Sequence, residues 1–319
     1  MNYKTLGNSG VKVSELILGC WAMGGDYFGE TEDKSSLEAI RTSFELGVNT
    51  LDTAEIYGKG RSERVVGQAI QELGRDRLCV ISKVFKPSMA HDKMMKACED
   101  SLSRLGTEYL DVYFLHYPIP NEEVSIEERM STMMELKRSG KIRAIGLSNF
   151  SLEEMKEAMQ YGDVDVIQPC YSLLWRYDES LLKFSLENSI GVIPYSTLAQ
   201  GLLTGKYKKD AVFTDGRSRA ALFQPENYNR CLEVTDVLAK VSAKYGRTPA
   251  QGAIRWLLQT PGITAPIVGA KNGKQAQENI LASGWEFTPE DYAEIDRASR
   301  AFTDSLPAYT LFFNTNIAP

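Results

Sequence analysis

A short apolar run, a polar or glycine-bearing loop and an amphipathic stretch recur along this chain, and that alternation limits its fold more than any other feature. Strands are expected near residues 15–19, 48–52, 78–82, 111–115, 143–147, 165–168, 191–195 and 265–269. Helices are expected between them at 33–46, 62–73, 91–105, 126–139, 151–160, 178–188 and 248–259, with another at 273–283 after the last strand. Consecutive strands joined through helices lie parallel, and eight such units close into a (β/α)8 barrel. An open doubly wound sheet is the alternative, but no G-x-G-x-x-G follows the first strand. The expected fold is α/β, a TIM barrel taking residues 1–319 as one domain.

Local chemistry agrees with this order. The opening YKTLGNSGVKVSEL reads as a β-hairpin about a Gly-Asn-Ser-Gly turn. Ser125-x-x-Glu128, Ser151-x-x-Glu154 and Thr248-Pro249-x-Gln251 carry helix-starting signals, and Gly47, Gly74, Gly106 and Gly140 stand where helices should stop. Two segments exceed a minimal barrel. One is a long loop at 199–245 after the seventh strand, ending in a helix near 227–245; the other is residues 284–319, with a helix from Thr288-Pro289-Glu290-Asp291. Long excursions in a compact domain are usually functional, whereas the tail aromatics Tyr309, Phe312 and Phe313 fit packing as well as function.

The formal charge of −6 and the lack of a dense basic run exclude a nucleic-acid surface. Any phosphorylated ligand must then be held by a few placed cations. The five cysteines are scattered with no C-x-x-C pair, as expected of reduced thiols in the cytoplasm. The two histidines and the cysteines form no zinc-spaced cluster, so no metal is expected. No secretory leader or membrane-spanning run is read, and nothing in the pattern specifies an oligomeric state.

Barrel enzymes place their chemistry at the C-terminal ends of the strands. Those ends carry Asp52, Lys83, His116, Ser148-Asn149, Gln168, Tyr195 and Lys271, each able to ionise or to hydrogen-bond. Each has an ordinary role when taken alone: Asp52 can cap a turn, His116 can be a satisfied core imidazole, and Tyr57 can be a loop aromatic. Assembled, they solve one problem. Hydride addition to a carbonyl creates an alkoxide that needs a proton, and Tyr57 can supply it. An ammonium ~4 Å away at an effective dielectric of ~20 favours a phenolate by ~4 kcal/mol, so Lys83 is expected to strengthen the acid. Asp52 would orient Lys83, and His116 would hold the carbonyl.

The residues then resemble the aldo-keto reductase family. The motifs are Gly47-x-Asn49-x-x-Asp52-Thr53-Ala54-x-x-Tyr57-Gly58-x-Gly60-x-Ser62-Glu63-x-x-x-Gly67, Ser101-Leu102-x-Arg104-Leu105-x-x-x-Tyr109-Leu110-Asp111-x-x-x-Leu115-His116, Gly140-Lys141-Ile142-Arg143-x-Ile145-Gly146-x-Ser148-Asn149-Phe150 and Gly269-Ala270-Lys271-Asn272-x-x-Gln275-x-x-Glu278-Asn279. They span residues 3–300 and look like bacterial members similar to the inositol-catabolism and general-stress reductases. The resemblance implies a catalytic tetrad of Asp52, Tyr57, Lys83 and His116, with NADPH as donor and NADH also open. It implies a carboxamide site at Ser148, Asn149 and Gln168, a nicotinamide stack on Tyr195, and further cofactor contacts from Trp21 and Asp52. Ser196, Leu198, Gly201 and Lys206 would line the pyrophosphate, with Arg217 a further phosphate candidate. Gly269, Lys271, Gln275, Glu278 and Asn279 would surround the adenosine phosphate. Family members often have Lys-Ser and a later Arg in this closing loop, where the chain has Gly269-Ala270 and Gln275. Lys271 is thus the main cation left for a 2′-phosphate.

The expected function is reduction of aldehydes or ketones, with a small carbonyl or alcohol as partner and a reversible direction. Trp21, Tyr27, Phe28, Phe85 and Tyr117 would form an aromatic substrate pocket, though such rings also serve as packing. A slow-turnover redox-sensing barrel like the potassium-channel β subunits is the alternative. A Schiff-base lyase built on Lys83 would leave Tyr57 and Ser148-Asn149 without roles.

Overall fold

A computed structural model describes residues 1–177 and 179–306; the tail aromatics Tyr309, Phe312 and Phe313 lie outside the described residues. The chain opens with an antiparallel hairpin of β1 (Tyr3–Thr5) and β2 (Lys12–Ser14). Eight parallel strands follow: β3 (Ile17–Gly19), β4 (Thr50–Asp52), β5 (Cys79–Val84), β6 (Leu110–Leu115), β7 (Ile142–Ser148), β8 (Val166–Gln168), β9 (Gly191–Val192) and β10 (Ile267–Gly269). Their order is β10-β3-β4-β5-β6-β7-β8-β9. The ends of this sheet meet: Thr264 N–H donates to Val192 O at 2.8 Å and Ile267 N–H to Pro194 O at 2.9 Å. The sheet is thereby closed into a (β/α)8 barrel.

The helices α1 (Asp33–Glu45), α2 (Arg61–Leu73), α3 (His91–Leu105), α4 (Ile126–Arg138), α5 (Leu152–Ala158), α6 (Glu179–Glu187), α8 (Pro249–Gln259) and α9 (Gly273–Ile280) surround it. The insertion between β9 and α8 holds three short 3-10 turns and α7 (Pro225–Ala243), against which α10 (Pro289–Thr303) packs. None of these helices is long and apolar enough to cross a membrane.

Every expected strand is present, with shifted ends. The strand expected at 191–195 shortens to Gly191–Val192, because Pro194 has no N–H to give the ladder. Tyr195 still reaches Pro169 O through its own N–H at 2.9 Å. Ser151 and Thr248 form complete capping boxes. Ser125 forms half of one, since the Glu128 carboxylate accepts instead from His91 N–H at 3.1 Å.

Closure divides the apolar residues into two cores. Inside the barrel sit Ile17, Cys79, Ile81, Val112, Phe114, Ala144, Val166, Ile193 and Ile267, together with Leu6, Val11 and Val13 of the hairpin, which plugs the floor. A larger core fills the sleeve between strands and helices. Buried carboxylates stitch the lower strand ends. Asp111 accepts from Val80 N–H and Arg75, both at 2.8 Å, and Asp165 accepts from Ile145 N–H at 2.8 Å and Lys137 at 2.9 Å.

The plug depends on Gly7, whose φ is +49° and where a Cβ would meet the backbone of Ser189, Gly191 and Asp165. Gly7→Ala should therefore cost ~1–3 kcal/mol and lower the thermal midpoint by several degrees. Gly10→Ala should cost less, because Gly10 has φ +75° but nothing within 4 Å of a Cβ. Equal melting of the two variants in calorimetry would remove the plug from the stability argument.

Candidate active site

Side chains along a strand alternate between the barrel interior and the sleeve. The interior row of β5 is Cys79, Ile81 and then Lys83; that of β6 is Val112, Phe114 and then, one step past the strand, His116. The same two-residue step leads from Thr50 to Asp52, from Ala144 through Gly146 to Ser148, from Val166 to Gln168, from Ile193 to Tyr195 and from Ile267 through Gly269 to Lys271. Polar residues therefore take over the inward row where it reaches the mouth.

Asp52 is the hub. Its Oδ1 accepts from Lys83 Nζ at 2.8 Å and its Oδ2 from Gln168 Nε2 at 2.8 Å, while Lys83 also donates to Thr53 O at 2.7 Å. Asp52, Lys83 and Gln168 are all buried, Lys83 completely. Burial pulls the Lys83 ammonium below its ordinary range and Asp52 pulls it back.

Tyr57 stands above this pair on the loop between β4 and α2, with Lys83 Nζ 5.1 Å from its ring centroid. Next to it, Gly58 has φ +57°, and a Cβ there would run into the backbone of Gly24. The Gly58 N–H donates to Asp26 Oδ2 at 3.1 Å. The tyrosine loop is thus clamped to the loop after β3, and Trp21 stacks near Tyr57 with centroids 5.8 Å apart.

The expected strengthening of the acid by Lys83 does not hold for the protein without bound ligand. Burial, then the charge of Asp52, push the Tyr57 phenol well above its ordinary range. Desolvation and the Asp52 carboxylate together outweigh what the Lys83 ammonium gives the phenolate. His116 faces Tyr57 at a centroid distance of 5.8 Å. Burial, then Lys83 and Lys86, hold it well below the usual imidazole range, so it is neutral. Its Nδ1 is buried with no partner. An orphaned acceptor is less costly than an orphaned N–H, which favours the tautomer with its proton on Nε2.

These groups open onto a groove of about 1020 Å³. Its walls include Asp52, Tyr57, His116, Ser148, Asn149, Gln168, Tyr195, Ser196, Leu198, Gly201, Lys206, Arg217, Gly269, Lys271, Gln275, Glu278 and Asn279, along with the aromatics Trp21, Tyr27, Phe28, Phe85 and Tyr117. Lys83 lies beneath the floor, on Asp52. Asn149, at φ +64°, accepts from Tyr195 Oη at 2.6 Å and donates to His116 O at 2.9 Å and to Ser148 Oγ at 3.2 Å. At the far end the cations Lys206, Arg217 and Lys271 act on one another electrostatically, and Asp215 pairs with Arg217.

Several wall residues escaped the sequence reading: Asp26, Thr197, Gln200, Arg219 and Thr248. Gln200 Nε2 is buried with no partner. Ser196, Ala199 and Gln200 all hold positive φ (+54°, +46° and +54°), a strain that sidechain-bearing residues keep mainly at functional sites. No spacing rule marks such positions in advance.

Residues 15–300 match the model of the Aldo/keto reductase family. The chain is 36% identical over 310 residues to aldo-keto reductase YhdN of Bacillus subtilis, covering 93% of each chain. It is 32% identical over 300 residues to the NADH-specific methylglyoxal reductase of Escherichia coli, covering 87% of this chain and 92% of that one. A probable voltage-gated potassium channel subunit beta of Arabidopsis thaliana is 36% identical over 309 residues, with coverage of 88% and 91%. Among solved structures, a glycerol dehydrogenase of Gluconobacter oxydans superposes with a TM-score of 0.86 at 29% identity, covering 96% and 97%. An aldo-keto reductase of Klebsiella pneumoniae in complex with NADPH gives 0.76 at 29%, covering 98% and 99%.

The two histidines are shifted in opposite directions. Asp92 and then Glu135 raise His91 above its ordinary value, whereas His116 stays neutral well below 6.5. Imidazole NMR followed from pH 8 to pH 5.5 should show one titrating signal and one fixed neutral signal protonated at Nε2 in the wild type, and the titrating signal alone in His116→Asn. A His116 midpoint at or above 6.5 would contradict the electrostatics described.

Proposed function

This chain belongs to the aldo/keto reductase family, and we propose that it reduces aldehyde or ketone carbonyls to alcohols with NADPH, Tyr57 delivering the proton. It is a nicotinamide-dependent oxidoreductase. The observation carrying the residue assignments is the meeting of Tyr57 and His116 over the buried Asp52–Lys83 pair, at one end of a groove whose other end gathers three cations.

The groove suits a dinucleotide in size and in the chemistry of its donors, and the unpartnered Gln200 Nε2 on its wall is a donor in want of a ligand. Ser148, Asn149 and Gln168 would hold the carboxamide, and Tyr195 would lie against the nicotinamide. Because Gln168 Nε2 is committed to Asp52, its Oε1 is the atom left for a carboxamide N–H. Ser196, Leu198, Gly201 and Lys206 would line the pyrophosphate, with Arg217 beside them. Gly269, Lys271, Gln275, Glu278 and Asn279 would enclose the adenosine end, with Lys271 serving a 2′-phosphate. When bound, NADPH supplies the hydride that reduces the carbonyl carbon.

The residues handle the rest. His116 Nε2–H donates to the carbonyl oxygen and polarises it, without a charge that would compete for the proton. Tyr57 Oη gives its proton to the oxygen as the C=O bond becomes an alkoxide. The raised phenol pKa does not block this step, because an alkoxide is a stronger base than a phenolate. It also keeps Tyr57 protonated across neutral pH. As the phenolate forms, the nearby Lys83 ammonium offsets part of its charge, and Asp52 cancels part of that gain. Trp21, Tyr27, Phe28, Phe85 and Tyr117 would receive the apolar part of the substrate.

Lys83 is fully buried and gives two of its three N–H donors to Asp52 and Thr53, which does not support a Schiff base there. The likeness to a channel β subunit supports a second reading, a cofactor-bound sensor with slow turnover; multiple turnovers with a simple aldehyde distinguish it. We place the protein in the cytoplasm, since its five cysteines are free and buried.

Tyr57→Phe should lower carbonyl turnover by about 10²–10⁴-fold while NADPH binding, followed by fluorescence quenching, stays near wild type. Near-normal turnover by this variant would remove Tyr57 as the proton donor. Reductive kcat/KM should stay level through pH 7–9, because neither raised Tyr57 nor depressed His116 titrates there.

A further inference from the structure

The loop at 25–31, between the 3-10 turn Trp21–Gly24 and α1, is fastened at its base and at its tip by different means. At the base, Arg61 donates to Thr31 O at 2.5 Å and to Asp33 Oδ1 at 2.7 Å, and Thr31 Oγ1 donates to Ala22 O at 3.0 Å. At the tip, Lys271 Nζ donates to Phe28 O at 2.6 Å. Tyr27 Oη adds a longer bond to Gln200 Oε1 at 3.3 Å, and the Tyr27 ring lies so close over Gly216 that a Cβ there would strike it. Asp26, also in this loop, accepts from Gly58 N–H at 3.1 Å, so the Lys271 bond is the shortest of three tip bonds and the one made by a cation.

Phe28 O is the one hydrogen-bond acceptor of the Lys271 ammonium among the described residues. Its charged neighbours Arg217 and Lys206 repel it, and Asp215 attracts it without touching it. The tip held in this way carries the rings that face the substrate end. Trp21 packs on Tyr27 at 4.7 Å and on Phe28 at 5.0 Å between centroids, and Trp21 in turn stacks near Tyr57 at 5.8 Å. A continuous line of contact therefore runs from a cation at the end of β10 to the proton donor.

We infer that Lys271 positions the substrate side of the site by holding the Phe28 carbonyl, whether or not the cofactor carries a 2′-phosphate. This rests on the reductase reading above, in which Lys271 also serves that phosphate. The two roles are compatible in one residue: an ammonium has three N–H bonds, and Phe28 takes one. Lys271 is thus a positioning residue for the carbonyl as well as a cofactor contact, and it acts on the carbonyl through the rings of the loop.

NADH separates the roles, because it has no 2′-phosphate to lose. With NADH as donor, Lys271→Met should raise the aldehyde KM by about tenfold, the weight of one charge-assisted hydrogen bond, with kcat within about twofold. In the protein without cofactor, hydrogen exchange at the amides of Tyr27–Gly29 should quicken several-fold, while that of the strand peptides stays unchanged. An unchanged aldehyde KM with NADH, or unchanged exchange in this loop, would overturn the inference and leave Lys271 a phosphate ligand alone. Absence of carbonyl turnover by the wild type with either donor would instead defeat the reductase reading, and the exchange measurement would still decide whether Lys271 holds the loop.

Discussion

A parallel strand in a closed barrel offers its side chains two destinations, the interior or the sleeve under the helices, and assigns them alternately. Everything at the mouth follows from that constraint. The row that begins as Cys79 and Ile81 must continue inward as Lys83, and the row of Val112 and Phe114 must continue as His116. A slip of one residue in either strand would turn a working group into the apolar sleeve and an apolar one into the site. The registers Gly19↔Asp52, Asp52↔Ile81, Lys83↔Phe114 and Ser148↔Gln168 set the level each polar end takes relative to its neighbours. The apolar layers below, closed by the hairpin plug, hold that level fixed.

Within this frame one carboxylate sets the electrostatics. Asp52 takes the charge of Lys83 on one oxygen and the amide of Gln168 on the other, so neither member of this buried pair stands alone. Neutral His116 and protonated Tyr57 then face the groove, and both are in the states that reduction of a carbonyl needs. Exposed pairs such as Lys96–Asp100 have little comparable influence, since water screens them.

Much of this was legible in the sequence because it depends on period and spacing. All eight barrel strands, the hairpin and the helix starts at Ser151 and Thr248 are set by local patterns; Asp52, Lys83 and His116 fall at strand ends, and Tyr57 on the loop after the first of them. The misses share a physical origin. The early end of β9 depends on Pro194 and on pairing across the seam. The upward shift of Tyr57 depends on how far Asp52 cancels Lys83, a three-dimensional balance. The Gln168–Asp52 bond joins residues 116 apart in the chain, and the Lys271–Phe28 bond joins residues 243 apart. Gln200 and Arg219 sit on an irregular insertion, where no periodicity points a side chain toward the groove.

The cysteines carry a consequence of their own. All five are buried, and burial raises the thiols of Cys20, Cys79, Cys98 and Cys231 above their ordinary range. An aldehyde is an electrophile, and the thiolate is the form of cysteine that attacks it. A catalyst that gathers reactive carbonyls at its mouth is surrounded by the very reagents that form hemithioacetals with exposed thiols. By burying its thiols, this barrel withholds them from that reaction.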